Sequence, residues 1–395
     1  MKNILIVSHC LEIGGAERAL IGILNAFDYS EHHVELFLLR HTGELMKYIP
    51  KEVTLLPENR KYASLAVPFS DVIKNRAFFV GAGRYVGNKK AEKFVSANGV
   101  SDPSAIYVNY SHKYTKAFMP MISEKEYDLA ISFLTPHYFV AEKVKAKRKV
   151  AWVHTDYSTL SVDPESELEM YSVFDKIITV SDSVTKAFYT LFPSLESKIE
   201  TIYNIHHADF IKAQSEEFSV KDEMPDDGFV KLLSVGRYCM QKNFDNVPDI
   251  CSKLENVKWY IIGFGGDEAL IKQKIQESNM SDRVILLGKK ENPYPYFREC
   301  DFYVQPSRYE GNAVTVNEAL ILGKKTIITD YATASAQIKN GVDGVIVPMD
   351  NEGCAEGIKA FIADTDLQEK IQKNLDVTDF SRSEEIQKVY RLAGD

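Results

Sequence analysis

Two glutamates eight positions apart open the chemical reading of this chain. In QPSRYEGNAVTVNEALILGKKTIITD, residues 305–330, an apolar run closes at Gln305, a loop carries Glu310 and Gly311, and a helical pattern begins near Ala313, carries Glu318 and stops at Gly323. Glu310 would stand in a loop at the carboxyl edge of a strand, and Glu318 about a turn and a half into the helix that follows. The start of that helix, around Ala313 and Val314, offers N–H groups and the positive end of its dipole, which suits a phosphate. Glu318 could then accept two hydrogen bonds from a ribose diol, and Glu310 could face a sugar. The same spacing also serves a helix cap or a salt bridge.

Further groups have matching chemistry. Ser234-Val235-Gly236-Arg237, followed by Lys242-Asn243, places a guanidinium fork and an ammonium near a strand end, a natural cradle for a diphosphate, although two surface cations would read the same. Gly14-Gly15-Ala16-Glu17-Arg18 has two glycines that let backbone approach a ligand and start a helix; a plain loop is the commoner meaning of such a pair. Gly263-Phe264-Gly265-Gly266-Asp267 holds only part of a dinucleotide fingerprint and reads as a tight strand-to-helix turn. Asp364-Thr365-Asp366 has the form of a metal-binding DxD but falls between two helical patterns, where a capping turn is expected. Cys10, Cys239, Cys251, Cys300 and Cys354 show no metal-ligand spacing and read as reduced thiols.

These residues need a scaffold. The apolar run Ile4 to Val7 leads through the glycine turn to Ala16, Ala19, Leu20, Ile23, Leu24 and Phe27 at helical spacing. Further strands are predicted at His33–Leu39, Val53–Leu56, Leu129–Leu134, Val150–Val153, Ile177–Val180 and Glu200–Tyr203, mostly separated by helix-length segments. After the polar, acidic stretch of residues 212–228 the rhythm restarts, with strands at Lys231–Val235, Trp259–Ile262, Val284–Leu287, Phe302–Gln305, Thr326–Thr329 and Val345–Val347. Such alternation indicates α/β architecture with two parallel sheets, and a ligand at their carboxyl edges.

With these elements in order, the chain resembles the retaining glycosyltransferases of family 4, which have the GT-B fold of two Rossmann-like domains facing across a cleft. Glu310 and Glu318 match the E-x7-E motif of that family, with Pro306, Ser307, Gly311, Ala319, Leu320 and Gly323 in place; Gly14 to Glu17 match its GGAE turn, and Arg237 and Lys242 its pyrophosphate clamp. The resemblance covers nearly the whole chain. It implies that His154, in Trp152-Val153-His154-Thr155-Asp156, lies near the donor sugar, and that Asn204 closes the strand at the domain switch. It implies an acceptor domain at residues 1–205, a nucleotide-sugar domain at 206–375, and a last helix within 376–395 that packs back on the first domain. Catalysis is expected from Glu310, His154, Arg237 and Lys242. Donor binding is expected from Gly14, Gly15, Arg237, Lys242, Gly311, Asn312, Ala313, Val314 and Glu318. Departures stand at Asn312-Ala313, Asn204-Ile205 and Tyr331-Ala332-Thr333-Ala334; the last resembles a subset of bacterial exopolysaccharide and capsule enzymes, and all touch selection of the donor sugar.

The expected reaction is transfer of a sugar from a nucleotide-diphosphate donor, a UDP-sugar first of all, to a glycan or polyprenyl-linked glycan, with retention and without metal or other cofactor. The alternatives are a non-catalytic sugar-nucleotide-binding subunit, which loss of Glu310, Arg237 or Lys242 would have favoured, and a sugar-nucleotide epimerase, which would turn over donor without acceptor. In 395 residues the formal net charge of −9 argues against a nucleic-acid partner. The apolar start of about five residues is too short for a signal peptide, and no apolar run of about 18 follows, so a cytoplasmic protein is expected, with peripheral contact at the inner face of the membrane. Lys143, Lys145, Lys147, Arg148 and Lys149 leave room for such contact with anionic lipid, although a solvated face is the commoner meaning.

Overall fold

A computed structural model describes residues 1–394. The chain forms two compact units, Met1–Ile205 together with the segment from Glu384, and His206–Ser383. Residues 376–383 thus belong to the second unit rather than to the last helix, which spans Ile386–Ala393. Among the described residues no helix is long and apolar enough to cross a membrane.

The first unit is built on seven strands, β1 (Lys2–Ser8), β2 (His32–Leu38), β3 (Thr54–Leu55), β4 (Glu126–Ser132), β5 (Lys145–Val153), β6 (Lys176–Thr179) and β7 (Ile199–Thr201). They lie in the order β3-β2-β1-β4-β5-β6-β7, and every pairing is parallel. The centre is apolar on both faces: Ile4, Leu5 and Ile6 are fully buried, as are Leu129, Ala130 and Ile131 beside them. The order reverses between β1 and β4, the point at which an open parallel sheet leaves room for a ligand.

Helix Ile386–Ala393 closes this unit with Val389 and Leu392 buried in its core. Tyr390 stacks on His32 with ring centroids 4.2 Å apart. Helix carbonyls at a C-terminus need donors from elsewhere. Arg148 supplies them to Arg391 and Leu392 at 3.1 and 3.2 Å, and Lys2 supplies one to Gly394 at 3.2 Å.

That arrangement corrects the reading of the basic stretch. Residues 145–149 are the first half of β5, longer than the Val150–Val153 strand expected from the sequence. Lys145 pairs with Glu124 at 2.9 Å, Lys147 with Asp128 at 2.7 Å, and Lys149 donates to the Ala141 carbonyl at 2.7 Å.

The second unit repeats the plan with β8 (Val230–Val235), β9 (Val257–Ile262), β10 (Val284–Gly288), β11 (Phe302–Gln305), β12 (Lys325–Thr329) and β13 (Val345–Val347). The order is β10-β9-β8-β11-β12-β13, again all parallel. One relay ties its centre together: Trp259 Nε1 donates to Ser234 Oγ at 2.8 Å, which donates to the Val304 carbonyl at 2.6 Å. Here the order reverses between β8 and β11, so the segments after Val235 and after Gln305 emerge side by side.

Candidate active site

Those two segments carry the residues singled out by the sequence. After β8 the chain turns through Gly236 and a short 3-10 turn, Met240–Lys242; after β11 it runs through Pro306 to Glu310. Lys242 Nζ donates to Glu310 Oε1 at 2.6 Å, with both side chains largely buried. A Cβ on Gly236 would come within 3.1 Å of the Lys242 stem, so the glycine makes room for the lysine to cross. The Gly263-Phe264-Gly265 turn packs on the same loop, since a Cβ at Gly265 would lie 2.3 Å from the Tyr238 carbonyl oxygen. It is a close-packing turn, as the incomplete fingerprint suggested.

Glu310 is held by four donors. Oε1 also accepts from Ser307 Oγ at 2.6 Å and Gln305 Nε2 at 3.2 Å, and Oε2 accepts from Gln241 Nε2 at 3.1 Å. Its own carbonyl accepts from Thr333 Oγ1 at 2.9 Å. Charge-assisted bonds from an ammonium, a hydroxyl and two amides fix both carboxylate and lysine in position. Arg237 is exposed and lies outside this network, so the structure unites one half of the expected cation pair with the carboxylate and leaves the other at the surface.

The helix after the loop spans Val314–Ile321, with Ala313 as its N-cap residue and no side chain capping its amides. Ala313 and Val314 have buried side chains, so what they can offer a ligand is backbone. Gly323 ends the helix in the left-handed region at φ 65°, where its N–H bonds the Leu320 carbonyl at 2.9 Å. Glu318 is 1% exposed and accepts from the Tyr294 hydroxyl at 2.8 Å.

Two of the three departures from the family pattern, at Asn312-Ala313 and at Tyr331 to Ala334, form one connected set. Asn312 Oδ1 accepts from Gln337 Nε2 at 2.8 Å, Gln337 Oε1 accepts from the Tyr331 hydroxyl at 2.8 Å, and Thr333 holds the Glu310 carbonyl. Gly311 joins Glu310 to Asn312 within this loop. Gln241, Gln305, Ser307, Tyr294 and Gln337 were not singled out as site residues by sequence reasoning. Gln305 and Ser307 lay inside the motif itself, but nothing in the spacing marks Tyr294, 24 residues ahead of Glu318.

Gly14, Gly15 and His154 belong to the first unit. Gly14 is the N-cap residue of the helix Gly15–Ala26 in extended backbone, and the nearest atoms to a Cβ there would be the movable end of the Glu17 side chain. His154 follows β5, its ring 4.5 Å from that of Phe133. Burial pushes the imidazole down to about 3, against an opposing hydrogen bond with the Phe133 backbone, so the ring is neutral at pH 7. Its Nε2 is enclosed, with no hydrogen-bond partner among the described residues. Asn204 is buried just beyond β7. Asp364 caps the helix Thr365–Leu375 through the Leu367 N–H at 2.9 Å, the capping role its position suggested.

Two open parallel sheets, each with its order reversal, define the GT-B class of α/β fold. The structure of HepE from Anabaena in complex with UDP and glucose matches over 100% of both chains with a TM-score of 0.70, at 16% identity, a likeness that establishes the fold. Residues 214–376, within the second unit, match the family model described as glycosyl transferases group 1. Among curated relatives, the N-acetylgalactosamine-N,N'-diacetylbacillosaminyl-diphospho-undecaprenol 4-alpha-N-acetylgalactosaminyltransferase of Campylobacter jejuni is 27% identical over 52% of this chain and 55% of its own length. The amylovoran biosynthesis glycosyltransferase AmsD of Erwinia amylovora is 24% identical over 52% of this chain and 56% of its own. The chain thus spans about half the length of these relatives.

Proposed function

We propose that this protein is a hexosyl- or related glycosyltransferase that moves a sugar from a nucleoside-diphosphate donor, a UDP-sugar, to a glycan carried on a polyprenyl diphosphate, with retention, in the synthesis of a surface polysaccharide. The observation that carries the reading is the Lys242–Glu310 pair at the order reversal of the second sheet, in the loop that leads to the uncapped start of helix Val314–Ile321. The relatives support the acceptor class by a name that includes a diphospho-undecaprenol, and the HepE complex supports UDP as the nucleotide.

In this mechanism the departing diphosphate gathers charge that Lys242, held by Glu310, the exposed Arg237 and the amides from Val314 onward meet. Glu318, oriented by Tyr294, holds the ribose. Glu310 keeps Lys242 in place, and its Oε2, bonded to Gln241, has capacity for one sugar hydroxyl. With two cations and the helix amides in this role the reading assigns no divalent ion.

Incubation with a panel of nucleotide sugars, read by nucleoside diphosphate release with and without a polyprenyl-diphosphate-linked acceptor, tests the reading. Activity with a UDP-sugar that survives excess EDTA is expected. Activity abolished by chelation and restored by Mn²⁺ would refute the metal-independent part, and donor turnover to an epimer without acceptor would refute transfer.

A further inference from the structure

At the carboxyl ends of β1 and β2 the first unit bears a cavity of about 340 Å³. His9 lines it from the end of β1 and Arg40 from the end of β2. Two helices supply more of its wall: Phe78–Asn98 gives Arg84 and Asn88, and Ser104–Thr115 gives Ser111 and His112. A Cβ on Gly83 or Gly87 would lie 2.7 Å from the Tyr114 or Tyr110 carbonyl oxygen, so these helices pack backbone on backbone and hold the cavity in one shape. Its volume stands near the lower end of the about 300–1,000 Å³ of small-ligand pockets, room for a ligand of about one sugar ring.

The charge of this cavity is one-sided. Its lining includes two arginines and no acid, in a chain whose net charge is −9. Arg84 is half-buried and anchored: Nη1 donates to the Ser64 and Val67 carbonyls at 2.8 and 2.7 Å, and the guanidinium lies 4.9 Å over the Phe69 ring. Its Nε and Nη2 make no hydrogen bond among the described residues. Burial lowers its pKa with no carboxylate to offset the effect, yet a guanidinium stays charged at neutral pH. The Arg40 side chain has no hydrogen bond or ion pair among the described residues, and its charge opposes those of Glu12 and Glu17 at the Cys10 thiol. His112 is 6% exposed and its buried Nδ1 has no partner among the described residues, an unmet polar group that calls for a ligand or an ordered water.

We propose that this cavity binds one sugar ring bearing a phosphate or a carboxylate, with the anion facing Arg40 and Arg84 and the ring hydroxyls meeting Asn88, Ser111 and His112. Guanidinium forks match both oxyanions, and the apolar part of the wall, Tyr62 and Leu65 among it, suits the C–H face of a ring. A wholly apolar ligand would strip water from two cations without replacing it. Binding itself does not rest on sugar transfer; on that reading the ligand is an acidic sugar of the acceptor, and the cavity selects glycans that carry one.

The test is calorimetry on the full chain with glucose 6-phosphate, glucuronate, glucose and inorganic phosphate, each with and without saturating UDP. Binding of at least one anionic sugar, unaffected by UDP, is expected, and the tighter of the two tells phosphate from carboxylate. Glucose lacks the anion and inorganic phosphate lacks the ring, so each should bind about tenfold more weakly or worse. Arg40→Gln removes a charge-assisted bond and no contact that the fold uses, and should weaken binding about tenfold or more. Arg84→Lys keeps the charge without the fork and should weaken it as well. If the Arg84 variant fails to fold, Arg40→Gln still decides. The proposal is overturned if neither anionic sugar binds at millimolar concentration, if glucose or inorganic phosphate binds as tightly, or if Arg40→Gln leaves the affinity unchanged. Displacement by UDP also overturns it, by assigning the binding to the second unit. A protein that binds an anionic sugar in this way but not UDP keeps the cavity and loses the nucleotide-donor reading instead.

Discussion

Replacing Lys242 by alanine leaves the Glu310 carboxylate in a pocket from which water is largely excluded, its side chain 6% exposed. Removing one partner of a buried pair costs about 3–5 kcal/mol. One feature places the loss at the low end of that range. The hydroxyl of Ser307 and the amides of Gln305 and Gln241 still donate to the carboxylate. We therefore expect a loss of about 3 kcal/mol, or about 6–12 °C in the melting temperature of the second unit. The chain has two tryptophans, Trp152 in the first unit and Trp259 in the second, both buried. In a Trp152→Phe background, tryptophan fluorescence reports the second unit alone. Adding Glu310→Gln removes the stranded charge and should recover about 2 kcal/mol, a coupling far from additivity. Wild-type stability in Lys242→Ala, or strict additivity in the double variant, would refute the argument that this pair is a closed unit.

Further outcomes follow from other residues. Glu318→Ala should weaken UDP binding by about 1.5–3 kcal/mol, and Tyr294→Phe by less, measured by calorimetry; unchanged affinity in Glu318→Ala sinks the ribose assignment. Burial pushes the Glu167 carboxyl up to about 7, although Asn109 and Tyr157 donate to it. Its folded form binds a proton that the unfolded chain releases above about pH 4.3, so this group lowers stability as pH rises from there to 7; Glu167→Gln should be neutral in acid and gain up to about 3 kcal/mol at pH 8 by urea unfolding. His137 and His154 are pushed the other way, to about 3 by burial, and His9 to about 4. The unfolded chain protonates these rings below about pH 6.5 and the folded unit does not, so stability should fall by about 1.4 kcal/mol per pH unit for each on acidification from there, and His137→Gln should flatten the slope. Arg148→Ala should cost the first unit about 1 kcal/mol in a Trp259→Phe background, through lost donors to the last helix.

All thirteen strands lie where apolar runs and turn residues placed them, because a strand buried on both faces of a parallel sheet must read as a short continuous apolar run. The exception in extent is β5, whose first half reads Lys-Ala-Lys-Arg-Lys. Nothing apolar announces a strand there, since its side chains meet Glu124, Asp128 and the carbonyls of the last helix instead of a core. The helices between Arg60 and Thr115 were equally silent: the longest of them packs through Gly83, Gly87 and Ala91, so its buried face carries almost no hydrophobic signal. At the site, Glu310, Glu318 and Lys242 were legible by motif. That Lys242 and Glu310 touch was not, because their contact depends on β8 and β11 being neighbours, a fact of strand order that residues 68 positions apart cannot declare.

The helix Ile386–Ala393 belongs to the first unit, yet the ribosome makes it after all of the second. The second unit is therefore an insertion, and its two ends meet, with the His206 N–H on the Ser381 carbonyl at 2.8 Å. During synthesis, at about 5–20 residues per second, residues 206–383 take on the order of ten to forty seconds to appear. Throughout that interval the first sheet waits with the groove for Val389 and Leu392 open to solvent and His32 without the ring that will stack on it. The inserted unit can complete its own core in that time, whereas the one begun first closes last. Vulnerability to proteases and chaperone capture should accordingly fall on the older half of the nascent chain, and a permuted gene that encodes residues 384–394 ahead of residue 1 would remove the wait.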